Sequence, residues 1–163
     1  MHSRILVSLV FATALLQGCN DANKAQNDAA KAQADIAKAQ ADGQKKVVDA
    51  QAKLDQAVAQ ANKDVVGVQA DAEKKATTNP NAPPPPANAD VAKARNDAEN
   101  KVADAQYDVD KAKAEADREV ADARCNTQAG SAKDACTANA KAAYDSAVAA
   151  AKSKNDAAHA SHQ

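Results

Sequence analysis

The sequence has little from which a conventional core is made. Tryptophan is absent, phenylalanine occurs once and tyrosine twice, so aromatics make up 2% of the 163 residues. The lone Phe11 falls in the only long apolar run, residues 5–16, and beyond Cys19 the large apolar side chains are Ile36, Leu54, Tyr107, Tyr144 and a set of valines. Folding free energy comes mainly from apolar area removed from water, at about 25 cal/mol per Å², and this inventory excludes a globule with a full-sized core. Glycine is scarce as well, with 4 residues and no loop that would cradle a phosphate. An excess of either charge is lacking: 21 basic and 22 acidic residues are interspersed and nearly cancel. That leaves neither a basic patch for nucleic acid nor an acidic tail. There is no HExxH helix and no Ser-His-Asp arrangement, and the carboxylates lie on charged stripes with no apolar pocket to perturb them. His159 and His162 share a helix face but have no third ligand nearby. The expectation is a protein that is not an enzyme, with no catalytic residue, no metal and no cofactor.

Alanine is abundant, at more than a quarter of the chain, and Lys, Asp, Gln and Asn supply most of the rest. Ala, Lys and Gln are strong helix formers. The expected class is all-α: long, alanine-rich amphipathic helices forming an elongated, coiled-coil-like helical hairpin.

The N-terminal segment is different in kind. Met1-His2-Ser3-Arg4 is weakly basic, and Ile5 to Leu16 is apolar except for Ser8 and Thr13. About a dozen apolar residues is signal-peptide length and well short of the ~20 that a spanning helix needs. The run closes on Leu16-Gln17-Gly18-Cys19. Lipid transfer needs a thiol nucleophile, and the peptidase needs a small residue before it; Cys19 and Gly18 supply both. Residues 1–19 resemble the lipobox signal peptide of bacterial lipoproteins. The resemblance implies cleavage between Gly18 and Cys19, loss of residues 1–18, and a diacylglyceryl thioether on Cys19, usually with an acylated amine. Membrane lipid is then the first partner. Two or three acyl chains anchor stably, because each buried methylene contributes about 0.8 kcal/mol and one chain alone is marginal. Asn20 follows the cysteine, where the family's best-known inner-membrane retention signal is an aspartate. The resemblance therefore points to the periplasmic face of the outer membrane.

After the leader, residues 19–78 read as one long helix, starting near 21. Lys24-Ala25-Gln26-Asn27-Asp28 recurs with a seven-residue period as Lys31-Ala32-Gln33-Ala34-Asp35 and Lys38-Ala39-Gln40-Ala41-Asp42. This sets Lys and Asp on separate stripes, with Asp28–Lys31 and Asp35–Lys38 as expected i,i+3 pairs. A seam of nonpolar residues spaced by threes and fours runs through Ala25, Ala29, Ala32, Ile36, Ala39, Gly43, Val47, Ala50, Leu54, Val58, Ala61, Val65, Val68, Ala72 and Ala76. Paired fours at 39–43–47 and 50–54–58 lengthen the period from seven toward eleven, which straightens the seam. Gly43 and Gly67 are weak points, at about 1 kcal/mol each relative to Ala. An apolar face on so long a helix calls for a partner, either a second copy of the chain or another envelope protein.

Residues 79–89, with four consecutive prolines at 83–86, read as a stiff extended linker. Residues 90–158 read as a helical hairpin. Its first helix, capped by Asn88 or Asp90, carries a seam of Val91, Ala94, Ala98, Val102, Ala105, Val109, Ala112, Ala116, Val120 and Ala123. Gly130 is the expected helix stop, and Ser131 with Asp134 is an N-cap pattern for a helix over 132–158. That helix is expected to continue the seam through Cys136, Ala140, Ala143, Ala147 and Ala150, with Tyr144 and Val148 on its border, and residues 159–163 are expected to form a flexible tail. Cys125 and Cys136 stand symmetrically about the turn, so an antiparallel hairpin sets them face to face. Their spacing is unlike the C-x-x-C of redox and zinc motifs. In the oxidising compartment that the lipobox implies, they are expected to form a disulfide closing a loop of ~12 residues. The region from Cys125 to about Asp145 is similar to the cysteine-bracketed hairpins of alanine-rich bacterial envelope proteins labelled TolA-like, a resemblance that carries no activity with it.

The expected function is that of a membrane-anchored periplasmic lipoprotein acting as spacer, scaffold or coiled-coil oligomer in the cell envelope. The alternative is a stress or osmotic-response protein, hydrophilic and helical, that folds on partners, membranes or drying.

Overall fold

The computed structural model describes residues 19–78 and 87–161. The expected leader with Gly18, the side chains of Cys19 and Ala76, the proline run and His162 lie outside the described residues. The fold is all-α. Helix α1 spans Cys19–Thr78 (60 residues), α2 spans Ala87–Cys125 (39 residues) and α3 spans Gly130–Ala160 (31 residues). At ~1.5 Å per residue, α1 is a rod about 90 Å long. Helix α2 begins before Asp90, which lies in its first turn rather than ahead of it.

The helices run up, down and up. Gly43 of α1 lies against Ala116 of α2, and Asp64 bonds Lys101, which fixes the first pair as antiparallel. The disulfide from Cys125 to Cys136 and the Asp104–His159 contact fix the second. Helix α1 packs on α2 and α3 packs on α2, but among the described residues α1 and α3 do not pack on each other. Helix α2 is thus the middle layer of an open, elongated three-helix sheet.

The α1–α2 interface holds most of the core. Val109 is fully buried against Ala50 and Leu54, with Val102, Ala105 and Ala112 packed around them. Ala61 and Ala98 are buried farther along. The ten expected seam positions of α2 are all buried or half-buried. The apolar face of α1 therefore finds its cover within the same chain, and the seam no longer argues for a second copy.

Three seam positions of α1 differ from expectation: Ala25 and Ala29, on the part of the helix that reaches past the α2–α3 turn, are exposed, and so is Val58. Val58 is 38% exposed, and Ala57 is turned inward in its place. The inward positions run 50, 54, 57, 61, so the paired fours at 50–54–58 are lost and those at 39–43–47 stay. Gly43 sits in the middle of that stretch, and a Cβ built there would lie 2.7 Å from the Ala116 Cβ and 3.1 Å from its Cα. The extra residue in the repeat is accommodated by bringing the two backbones together at a glycine.

The α2–α3 interface is of another kind. On α2 it uses the side facing away from α1: Asn100, Ala103, Tyr107, Asp110, Ala114, Arg118, Ala121 and Cys125, spaced by threes and fours. On α3 it uses Cys136, Ala140, Tyr144, Val148, Ala151 and Asn155, of which Ala140 and Ala151 are buried. The expected continuation through Ala143, Ala147 and Ala150 is overturned, because these three are exposed. Alanine burial differs little from face to face, so the larger Tyr144 and Val148 choose the inward side. Arg118 lies over the Tyr144 ring, 5.2 Å from its centroid.

The turn corrects another expectation. Gly130 opens α3 instead of stopping α2, and it does so at φ +56°, a left-handed conformation suited to glycine. Ala129 occupies the N-cap without a side-chain hydrogen bond, so Ser131 caps nothing. Helix α2 ends in tight turn bonds, Thr127 N–H to the Arg124 carbonyl and Gln128 N–H to the Cys125 carbonyl, and the Thr127 hydroxyl donates to the Arg124 carbonyl as well.

Charges cover the outside as i,i+4 pairs with the base first: Lys38–Asp42, Lys93–Asp97, Lys141–Asp145 and Lys152–Asp156. Lys38 thus reaches forward to Asp42 rather than back to Asp35. Each such pair is exposed, so water screens it and it adds little to stability.

Candidate functional site

The features that bear on function gather at the end of the molecule where α1 begins. Residues Asp28, Lys31, Ala32 and Asp35 of α1 face Ala123, Asn126 and Thr127 at the α2–α3 turn. Helix α1 therefore continues past the turn, and its first residue, Cys19, stands about 20 Å beyond it at 1.5 Å per residue. The candidate lipidation position and the cysteine turn occupy the same end.

Cys125 and Cys136 are joined by a disulfide there, with Cα atoms 5.5 Å apart, within the range that the bond requires. Cys125 is 1% exposed, and Cys136 is half-buried. The two cysteines line a groove of about 1370 Å³. Gln40, Gln44 and Val47 of α1 form one wall, and Ala135, Asn139 and Ala140 of α3 form the other. Its floor is α2, with Lys113, Asp117, Val120, Ala121 and Arg124. The groove exists because α1 and α3 flank α2 without meeting. It contains no histidine and one carboxylate, and it has no paired acid and base for proton transfer. Among the described residues, no three His, Cys, Asp or Glu side chains converge as a metal site. No described helix is long and apolar enough to cross a membrane.

Comparison of the chain with family models, with curated proteins and with solved structures finds no match.

Two sets of polar contacts were not foreseen from the sequence. Lys46 pairs with Glu119 and Lys101 with Asp64, and these α1–α2 ion pairs stand on either side of the Val109 core. The other set fastens the far end of α3. Asp104 Oδ1 accepts from Asn155 Nδ2 at 3.0 Å and contacts His159 Nε2 at 2.8 Å. His159, expected in a free tail, is a helical residue held against α2. The signal was present in part, since Asn155 and His159 lie four apart on one helix face. Which face would be inward was hidden by the alanines around them.

The His159 hydrogen bond holds the Asp104 carboxyl below the usual carboxylate range, against the cost of partial burial and with help from Asn155. A lowered carboxylate pKa contributes stability that is complete above about pH 4 and is lost as the pH falls through the folded-state value. Acidification below about pH 4 should therefore loosen residues 155–160 first. The effect should be a few tenths of a kcal/mol, because the carboxylate is largely exposed. Amide exchange of the last two turns of α3 should accelerate in that range in the natural chain, and the Asp104→Asn variant should show no acid step there.

Proposed function

We propose that this chain is a lipid-anchored structural lipoprotein of the bacterial cell envelope. The reading rests on Leu16-Gln17-Gly18-Cys19 standing at the threshold of an unbroken helix. With Cys19 acylated, α1 would rise directly from the membrane surface and reach about 90 Å from it. Its sparse alanine core and its mixed surface charges suit a stiff spacer or scaffold rather than a binding pocket. The residue after the cysteine, Asn20, favours the periplasmic face of the outer membrane. The disulfide end would then lie close to that membrane.

Labelling with radioactive palmitate tests the reading, comparing the natural chain with Cys19→Ser. The natural chain should take up label and sediment with membranes, and the variant should do neither. A variant that still sediments with membranes, or a mature chain still carrying residues 1–18, would sink the proposal.

A second reading keeps some support from the core. Six of its nine buried residues are alanine, so folding free energy is small for the length. A stress-response helix that orders only on drying or on lipid would show low helicity by circular dichroism in dilute buffer. The lipoprotein spacer would be strongly helical under the same conditions.

A further inference from the structure

We propose that the Cys125–Cys136 bond is a reducible clasp, opened by a dithiol reductant entering the groove, and that α3 detaches from α2 once it is open. Three observations support this. The disulfide opens on one side to a wide groove that both cysteines line. Cys136 is half-buried while Cys125 is 1% exposed, so an incoming thiolate meets Cys136 first. Beyond the bond itself, α3 has little to hold it.

The last point follows from its contacts. Helix α3 has one neighbour, since α1 does not pack on it. Only Ala140 and Ala151 are buried along it, and Tyr144 and Val148 are half-buried. Among the described residues, the other contacts with α2 are exposed or partly exposed ones, at Lys154–Asp110, around Asp104 and between Arg118 and the Tyr144 ring. The Asn155 Oδ1 is buried without a hydrogen-bond partner, which weakens the interface further. The α1–α2 hairpin, by contrast, keeps its own Ala50–Leu54–Val109 cluster and does not need α3.

The chemistry balances. A thiolate of the reductant attacks Cys136 Sγ, and the bond to Cys125 breaks with its electron pair leaving on Cys125 Sγ, which takes up a proton. The reductant's second thiol, having lost its proton, attacks the mixed disulfide and frees Cys136, which is protonated in turn. The chain gains two electrons and two protons, and the reductant leaves as its own disulfide. Release of α3 uncovers the Tyr107 and Arg118 face of α2. The proposal holds whether or not Cys19 carries lipid.

Amide hydrogen exchange on the full chain tests it, with the disulfide intact and after dithiothreitol at neutral pH without denaturant. Dithiothreitol should reduce the bond under these native conditions. Closing a ~12-residue loop should restrain opening about 100-fold, so amides from 136 to 151 should exchange about 100-fold faster once reduced. Amides around Leu54 and Val109 should keep their protection. Cys136→Ala, which removes the bond at its half-buried end, should match the reduced chain. A bond that resists dithiothreitol until the protein is unfolded would overturn the proposal. So would unchanged protection of α3 on reduction, or loss of protection by all three helices together.

Discussion

Gly43→Ala should destabilise the protein, and Gly67→Ala should stabilise it, although both replace a glycine inside the same helix. Helix propensity favours alanine by about 1 kcal/mol at either position. At Gly67 nothing lies within 4 Å of the new methyl, so the gain of about 0.5–1 kcal/mol is kept. At Gly43 the methyl would lie 2.7 Å from the Ala116 Cβ and 3.1 Å from its Cα. Carbon atoms prefer about 3.5–4.0 Å, and Ala116 has no flexible end that could yield. The backbones must part, and the seam on either side opens with them. Overpacking of this kind costs about 1–3 kcal/mol, enough to cancel or exceed the propensity gain. Gly43→Val, with two further methyls and a poorer helix propensity, should cost about 2–3 kcal/mol net. Urea unfolding followed by far-ultraviolet circular dichroism measures all three. The decisive comparison is Gly43→Ala with Ala116→Gly, which should recover the stability lost by the single change, because the pair restores the missing space on the opposite helix. Equal stabilisation by Gly43→Ala and Gly67→Ala would mean that the close approach of α1 and α2 does not exist in solution.

Val109→Ala should produce the other large loss. Val109 is 0% exposed and is the largest fully buried apolar side chain among the described residues. It fills the space between Ala50 and Leu54. Alanine there removes two methyls and leaves a void that the small neighbours cannot fill, at a cost of about 2–3 kcal/mol. Most of the remaining core is alanine, so little else replaces that burial. Val66→Ala is the matched control: Val66 is 62% exposed, and its truncation should change stability by less than about 0.5 kcal/mol. The urea midpoint should fall for the first variant and stay in place for the second, with the same slope in both. Similar midpoints for the two would place the core elsewhere along α1.

Much of the architecture was legible along the chain. The Lys-Ala-Gln-Ala-Asp repeat marks a helix by local propensity, and the valines of α2, at 91, 102, 109 and 120, stand seven or eleven residues apart on one helix face. Their exposure follows from that spacing alone. Where large residues are sparse, legibility fails. Between Leu54 and Ala61 both Ala57 and Val58 fit an apolar seam, and the choice between them depends on how α2 lies across α1. On α3, four alanines among residues 140–147, around Tyr144, make several faces equally apolar. The second interface of α2 was illegible for a related reason: Asn100, Tyr107 and Arg118 read as solvent-facing until a helix of small residues packs over them.

The sequence by itself determined the three helices, the all-α class, the turn between the cysteines, and the chemistry on offer at Cys19, Cys125 and Cys136. These depend on backbone propensity and on spacing within a few turns, which act before any distant contact forms. The tertiary structure alone decided that the seam of α1 is covered by α2 of its own chain, that Gly43 meets Ala116, that His159 is fastened to Asp104, and that a groove reaches the disulfide. In an alanine-rich chain the alternative pairings differ by very little buried area, so the fit of a few larger side chains and one glycine selects among them.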